Sequence, residues 1–377
     1  MSNEQDLAFP EIEYRRRVDA VRCKMAERGV DLLLVDAMEH VTYLFGYTPP
    51  AQVYQVGIIP MAADPVMIVR GLDEPTYVEQ SWVTDYVPFA DWEDGLDVLG
   101  ATLKARGWVG KTIGVELDSN FLTVERYEKT KAVLPEARFI DFSGVVREVR
   151  LIKSDVEIAL LRKTAKIADA ALLAAVEAAG EGVAEREVAA ALYSAALKLG
   201  ADNGRTALIA SGRRSDKLHG ALGLQTLAKG DMLHIESIPA CRTYGVRLMR
   251  SSIIGEPPRE IAAAARQLIE IQDEQYSAMR PGVIASDVDK ILREKVLRAG
   301  LRERYTNTTG YTLGIIASPK TSDFTRTFMP HSNWVLEAGM VFHMYCFAKG
   351  MAFSDTMLVT QGGAERLTKV DRRLFVR

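Results

Sequence analysis

Apolar and polar positions change period several times along the chain, and each change predicts an element. Val18, Val21 and Met25 recur at helical spacing within EYRRRVDAVRCKMAERG, and Gly29 stands just past the last turn. VDLLLVDA at 30–37 predicts a short buried strand. QVGIIPM and PVMIVRG predict a hairpin, and KTIGVELD and ARFIDFSG predict two further strands. Helical stretches around 94–106 and 122–132 fall between them. The alternation predicts an α/β domain that ends near residue 145.

The second half opens on a capping-box pattern, Ser154 followed by Glu157, in which each side chain satisfies a free backbone N–H of the other. Ile158, Leu161, Ala165, Ile167 and Ala168 then form a helical stripe. Further helices are predicted over 184–199, 259–279 and 285–299, with strand-like segments between and after them. The order is α-α-β-β, and then α-α-β-β again. The repetition is visible in the residues: LAKGDMLHIE, ending at Glu236, aligns with LEAGMVFHMY, ending at Tyr345. Strand neighbours two apart share a face, so His234 stands beside Glu236 and His343 beside Tyr345 in matching halves. A pseudo-symmetric sheet whose polar groups meet at its middle is the expectation.

Composition narrows the function classes. The 377 residues exceed a usual single domain, which predicts two, at 1–148 and 149–377. Net charge is −3 with scattered basic residues, which argues against a nucleic-acid or anionic-membrane surface. No apolar run approaches the ~20 residues needed to cross a bilayer, and the start, MSNEQDLAF, does not read as a signal peptide. Cys23, Cys241 and Cys346 are too dispersed for a disulfide framework or a zinc site and read as reduced thiols. The expected setting is the cytoplasm.

Taken together, LIKSDVEIALLRKTAKIAD, SGRRSDKLHG, GDMLHIESIP, TTGYTLGI, EAGMVFHMY and SDTMLVTQGGAERLT resemble the pita-bread superfamily of creatinase and aminopeptidase P. The resemblance covers nearly the whole chain. It implies a creatinase-type α/β N-terminal domain followed by an α+β pita-bread domain with an internal pseudo-two-fold repeat. Its metallopeptidases hold two dications with two Asp, one His and two Glu. Those positions fall here on Glu236, Arg247, Tyr311, Tyr345 and Ser354. An arginine places a fixed positive charge where a dication belongs, so no metal and no other cofactor is expected. Creatinase, which is metal-independent, would lose both guanidinium-holding glutamates, at Met249 and Tyr345. Ectoine hydrolase is the nearer likeness, sharing Glu236, Tyr311, His343 and a tail similar to ERLTKVDRRLFVR.

This likeness implies a metal-independent hydrolase of a C–N bond in a small carboxylate-bearing amidine, cyclic amide or ureido compound. Glu236 would serve as base or nucleophile, His219 as proton shuttle, and Tyr311 and Tyr345 as O–H donors, with His343 beside them. Arg247 or Arg250 would bind a substrate carboxylate. Tyr47, Tyr54 and Gln55 lie where creatinase-like enzymes send a loop toward a neighbouring subunit, which implies a homodimer. Each residue also has a plainer reading. Glu236 can simply pair with an arginine, the tyrosines can be packed aromatics, and His234 can merely orient Glu236. Two other functions stay open, an Xaa-Pro dipeptidase-like metalloenzyme and an inactive family member that binds a small molecule or a partner.

Overall fold

The computed structural model describes residues 6–50, 53–203, 207–215, 218, 220, 222–317 and 322–377. The chain divides into two compact units, residues 1–150 with 317–321, and residues 151–316 with 322–377.

The first unit is an α/β sandwich. Its strands are β1 (Leu32–Val35), β2 (Val56–Pro60), β3 (Val66–Arg70), β4 (Tyr86–Phe89), β5 (Thr112–Val115) and β6 (Arg138–Asp141), in the order β4-β3-β2-β1-β5-β6. The β1–β2 and β2–β3 pairs are antiparallel and the remaining pairs parallel. The helices are α1 (Glu11–Arg28), α2 (Met38–Phe45), α3 (Glu74–Gln80), α4 (Gly95–Ala105), α5 (Val124–Val133) and α6 (Val145–Val149). α1 buries Val18, Val21 and Met25 and ends in a left-handed Gly29, the geometry that glycine adopts without a Cβ penalty. α2 is missing from the periodicity because all eight of its residues are buried, which leaves no polar face to alternate with an apolar one.

Buried charge is concentrated beside α2. The His40 Nδ1 and Glu116 Oε2 atoms are 2.8 Å apart, and Asp36 lies in the same core. Burial pushes the Asp36 carboxyl up to about 7; hydrogen bonds from Ser119 and Tyr54 oppose the shift and the Glu116 carboxylate adds to it. A folded-state value above the unfolded one means that the native state holds this proton more tightly. Stability from Asp36 is therefore full below about pH 4 and lost as pH rises to about 7. Relative to Asp36→Asn, the wild-type protein is expected to lose roughly 3–5 kcal/mol across that window. Denaturant melts of both proteins from pH 4 to 8 measure the difference. Parallel pH profiles would show that Asp36 is not the titrating group.

The second unit repeats one design. Helices α7 (Asp155–Ala178) and α8 (Glu185–Lys198) precede β7 (Ala207–Ser211), β8 (Met232–Ser237), the two-residue strands β9 (Ala240–Cys241) and β10 (Tyr244–Gly245), and β11 (Leu248–Ile253). Helices α9 (Arg259–Ala278) and α10 (Ala285–Arg298) precede β12 (Gly310–Thr312), β13 (Thr327–Phe328), β14 (Val341–Ala348), β15 (Met351–Thr360), β16 (Gly363–Arg366) and β17 (Phe375–Val376). The capping box at Ser154 and Glu157 starts α7. The strands form a sheet in the order β13-β12-β14-β15-β11-β8-β7, with β16 on β15 and β17 on β11. The two halves meet where β11 pairs with β15, so β11 of the first repeat and β15 of the second are central.

Candidate active site

The register of this sheet lines up side chains that lie far apart in sequence. Glu236 faces Met249, Met249 faces Ser354, and Ser354 faces Tyr345, which makes one row across β8, β11, β15 and β14. Two residues along, Thr356 faces His343 and His343 faces Tyr311 on β12. Arg247, just before β11, joins this second row: its N–H donates to the Thr356 hydroxyl (3.0 Å), which donates back to the Arg247 carbonyl (2.8 Å). Pleat parity puts both rows on one face. The sequence repeat that aligns Glu236 with Tyr345 thus places them at opposite ends of one row.

Arg247 is the hub. Its Nη1 donates to Glu236 Oε1 at 3.1 Å and to the Tyr311 hydroxyl at 2.8 Å. Tyr311 Oη lies 2.8 Å from His343 Nδ1. Glu236 and His343 are fully buried, and Arg247 and Tyr311 nearly so. Burial works against the guanidinium charge, but the Glu236 carboxylate and the phenol outweigh it and hold Arg247 above its ordinary value. Burial, with the positive Arg247 nearby, drives His343 well below its ordinary value, so the imidazole is neutral at pH 7. Burial also raises the Tyr311 phenol, despite Arg247, and keeps it protonated. Arg247 donates to the phenol oxygen, and Ser322 also hydrogen-bonds it; which of Tyr311 and His343 donates across the 2.8 Å contact depends on the imidazole tautomer. Among the described residues, neither His343 Nε2 nor the buried Ser354 Oγ has a hydrogen-bond partner.

Tyr345, half-buried, stacks on His343 with ring centroids 5.3 Å apart and planes at 17°. Its hydroxyl meets Thr308 Oγ1 at 3.2 Å and accepts from Asn307 Nδ2 at 3.3 Å. Phe324, 60% exposed, leans on Tyr311 with centroids 4.6 Å apart. Neither Phe324 nor the Thr308–Asn307 pair was legible as a site residue. Phe324 sits in a polar loop with no periodicity, and only the β12–β14 pairing brings Asn307 and Thr308 beside Tyr345.

The structure thus gathers Glu236, Arg247, Tyr311, His343 and Tyr345. His219 lies outside the described residues. Arg250 is not part of the site. It is an odd number of residues from Arg247 and so projects from the opposite face, fully buried. There it donates to Asp355 (2.9 Å) and to the carbonyls of Met249, Ser354, Val370 and Asp371. Asp355 also accepts from Thr368 (2.8 Å). This network ties the C-terminal tail to the sheet, so the tail has a structural job here. Tyr47, Tyr54 and Gln55 are buried within the first unit, not displayed for a neighbour. The Tyr47 hydroxyl donates to Gln55 (3.2 Å), Gln55 donates to Asp73 (2.9 Å), and Arg126 covers the Tyr54 ring. Cys241 and Cys346 are buried free thiols and Cys23 is exposed.

An α/β domain joined to a duplicated α-α-β-β domain, with polar rows at the centre of the second sheet, defines a creatinase-type pita-bread hydrolase. The Creatinase/Prolidase N-terminal domain matches residues 17–152 and Metallopeptidase family M24 matches residues 159–361; the chain belongs to that family. Curated relatives include the Xaa-Pro dipeptidase of Pyrococcus furiosus, 28% identical over 96% of this chain and 100% of its own. The ectoine hydrolase of Halomonas elongata is 25% identical over 98% of this chain and 99% of its own. Among solved structures, the Xaa-Pro dipeptidase from Bacillus anthracis superposes with a TM-score of 0.83 at 25% identity, covering 97% of this chain and 100% of its own. The prolidase from Pyrococcus horikoshii gives 0.82 at 26% identity, over 96% and 100%.

Proposed function

We propose that this M24 hydrolase cleaves a C–N bond in a small carboxylate-bearing amidine, cyclic amide or ureido compound without a metal ion. The observation that carries the reading is Arg247, whose Nη1 donates to both Glu236 and Tyr311 in the middle of the rows. The family's name implies metal, but this donor set does not suit a pair of dications. The rows offer one carboxylate, already engaged by a guanidinium, one imidazole whose Nδ1 meets Tyr311, two phenols, two hydroxyls and a thioether. Among the described residues, no three His, Cys, Asp or Glu side chains group so as to hold an ion.

In the proposed step, Glu236 takes a proton from water as its oxygen bonds to the substrate carbon. Phenol O–H groups of Tyr311 and Tyr345 stabilise the developing tetrahedral oxygen. The C–N bond then breaks and the leaving nitrogen takes a proton, which His219 supplies in this reading. Arg247 orients the substrate carboxylate. Tyr311→Phe is expected to lower kcat about 10²-fold with little change in melting temperature; an unchanged kcat would remove the phenol from the mechanism. The protein is read as a cytoplasmic two-fold dimer, and sedimentation showing only a monomer at micromolar concentration would overturn the dimer.

A second reading, an Xaa-Pro dipeptidase, is favoured by the match to the Pyrococcus dipeptidase over almost the whole chain. Thermal shift and turnover with ectoine, cyclic amides, ureido acids and Xaa-Pro dipeptides, each with and without chelator, separate the two. A compound at a hundredfold excess over its Kd stabilises the native state by about 2.7 kcal/mol. Chelator-insensitive turnover of a member of the first three classes supports the proposal. Chelator-sensitive dipeptide cleavage supports the second reading, and binding without turnover of any compound points to an inactive binding protein.

A further inference from the structure

In each half of the second unit, a buried carboxylate is placed to hold a loop. At the start of α8, fully buried Glu185 accepts from the Ser211 N–H (2.9 Å), the Gly223 N–H (2.9 Å), the Ser211 hydroxyl and Arg214. Arg214 also donates to Gln225 Oε1 (2.8 Å), whose backbone carbonyl accepts from the Glu185 N–H (2.9 Å). One carboxylate therefore binds residues on both sides of His219 in sequence. On α10, fully buried Asp289 accepts from Arg293 (2.6 and 2.8 Å) and from the Thr309 hydroxyl (2.8 Å). Arg293 donates onward to the carbonyls of Tyr305 and Asn307, and the Thr309 carbonyl accepts from the Tyr345 N–H (3.0 Å). Asn307 and Thr308, fixed between these points, are the residues that meet the Tyr345 hydroxyl.

Duplication alone does not account for the pair. The bridges Ala184–Thr226 and Ile284–Val335 put the two halves in register, and in that register Ala285 occupies the place of Glu185. The second half supplies its acid one helical turn later. The same task is met from two different positions, where a structural relic would have kept one.

We propose that Glu185 and Asp289 are positioning residues that hold, respectively, the chain on either side of His219 and the segment that fixes the Tyr345 phenol. The effect on turnover rests on the proposed chemistry, but the positioning does not. A carboxylate is needed because every partner is a donor. Glutamine or asparagine would turn an amide N–H₂ against those donors and break the clamp. A displacement of about 1 Å at groups that move protons can cost about 10²-fold in rate.

The test requires no substrate. Hydrogen exchange is measured on the full chain for Glu185→Gln and Asp289→Asn, with Arg214→Met and Thr309→Val as milder versions should either fail to fold. Exchange is expected to rise about tenfold or more in 211–225 alone for the first pair and in 305–311 alone for the second. NMR supplies a readout that a purely structural role would not move. The His219 imidazole signal, one of five histidines and assigned with His219→Gln, changes its titration in the Glu185 variants but not in the Asp289 variants. The Tyr345 ring signal, assigned with Tyr345→Phe, does the reverse. Exchange rising evenly through the unit, or both signals staying unchanged, would overturn the proposal. Normal positioning signals in a protein that turns over none of the tested compounds would instead fault the proposed chemistry.

Discussion

Turnover of a Glu236→Gln variant is expected to fall by about 10²–10⁴-fold, the range removed with a positioned general base. The same change takes its carboxylate away from an Arg247 that is almost fully buried. Breaking one side of a buried ion pair costs about 3–5 kcal/mol, because the charge left behind is neither solvated nor paired. Lost activity alone would therefore be ambiguous. The double variant Glu236→Gln with Arg247→Met removes the stranded charge. It is expected to recover most of the stability, measured by urea denaturation, but none of the turnover. Recovery of both would show that Glu236 only balances Arg247. Wild-type turnover in the single variant would exclude it as base and as nucleophile.

Arg250→Met should give the largest loss of stability without a matching loss of activity. Arg250 and Asp355 are both fully buried, and the guanidinium also ties down the carbonyls of Val370 and Asp371 in the C-terminal tail. Asp355 keeps Arg372 at 3.2 Å, but losing the Arg250 pair and the donor to four carbonyls is expected to cost about 3 kcal/mol and to lower Tm by roughly 10 °C. Assayed well below that Tm, kcat and KM should stay within about threefold of wild type, since Arg250 projects from the face of the sheet away from Tyr311 and His343. A selective rise in KM for carboxylate-bearing compounds would return Arg250 to the binding site. Arg247→Met should show that rise instead.

The contrast between these two arginines shows what was legible in the sequence. Both occur in GVRLMRSS, and both are plausible carboxylate binders by residue type. Strand parity already separates them, since residues three apart in a strand point to opposite faces. What the sequence did not contain was the pairing of β11 with β15, which decides that Arg247 meets Tyr311 and Arg250 meets Asp355. The long amphipathic helices and the internal repeat were readable because burial on one face leaves a periodic trace. α2 and β4 were not. α2 is buried on every side, and β4 is a short, partly exposed edge strand containing Pro88. The reading of Tyr47, Tyr54 and Gln55 as a projecting loop came from resemblance alone, whereas each is buried among partners of its own unit. Asp289 gave no signal at all, because a carboxylate four residues before an arginine on a helix usually marks a solvated pair.

A guanidinium bridges Glu236 and Tyr311 in this M24 domain, and the proposal that it stands in place of metal can be tested without knowing the substrate. Chelator-treated protein titrated with Mn²⁺ in a calorimeter provides the most direct measurement. No saturable binding in the micromolar range is expected, because Arg247 and its hydrogen bonds to Glu236 and Tyr311 fill the place between the rows. Two tight sites per chain, abolished by Glu236→Gln, would contradict it.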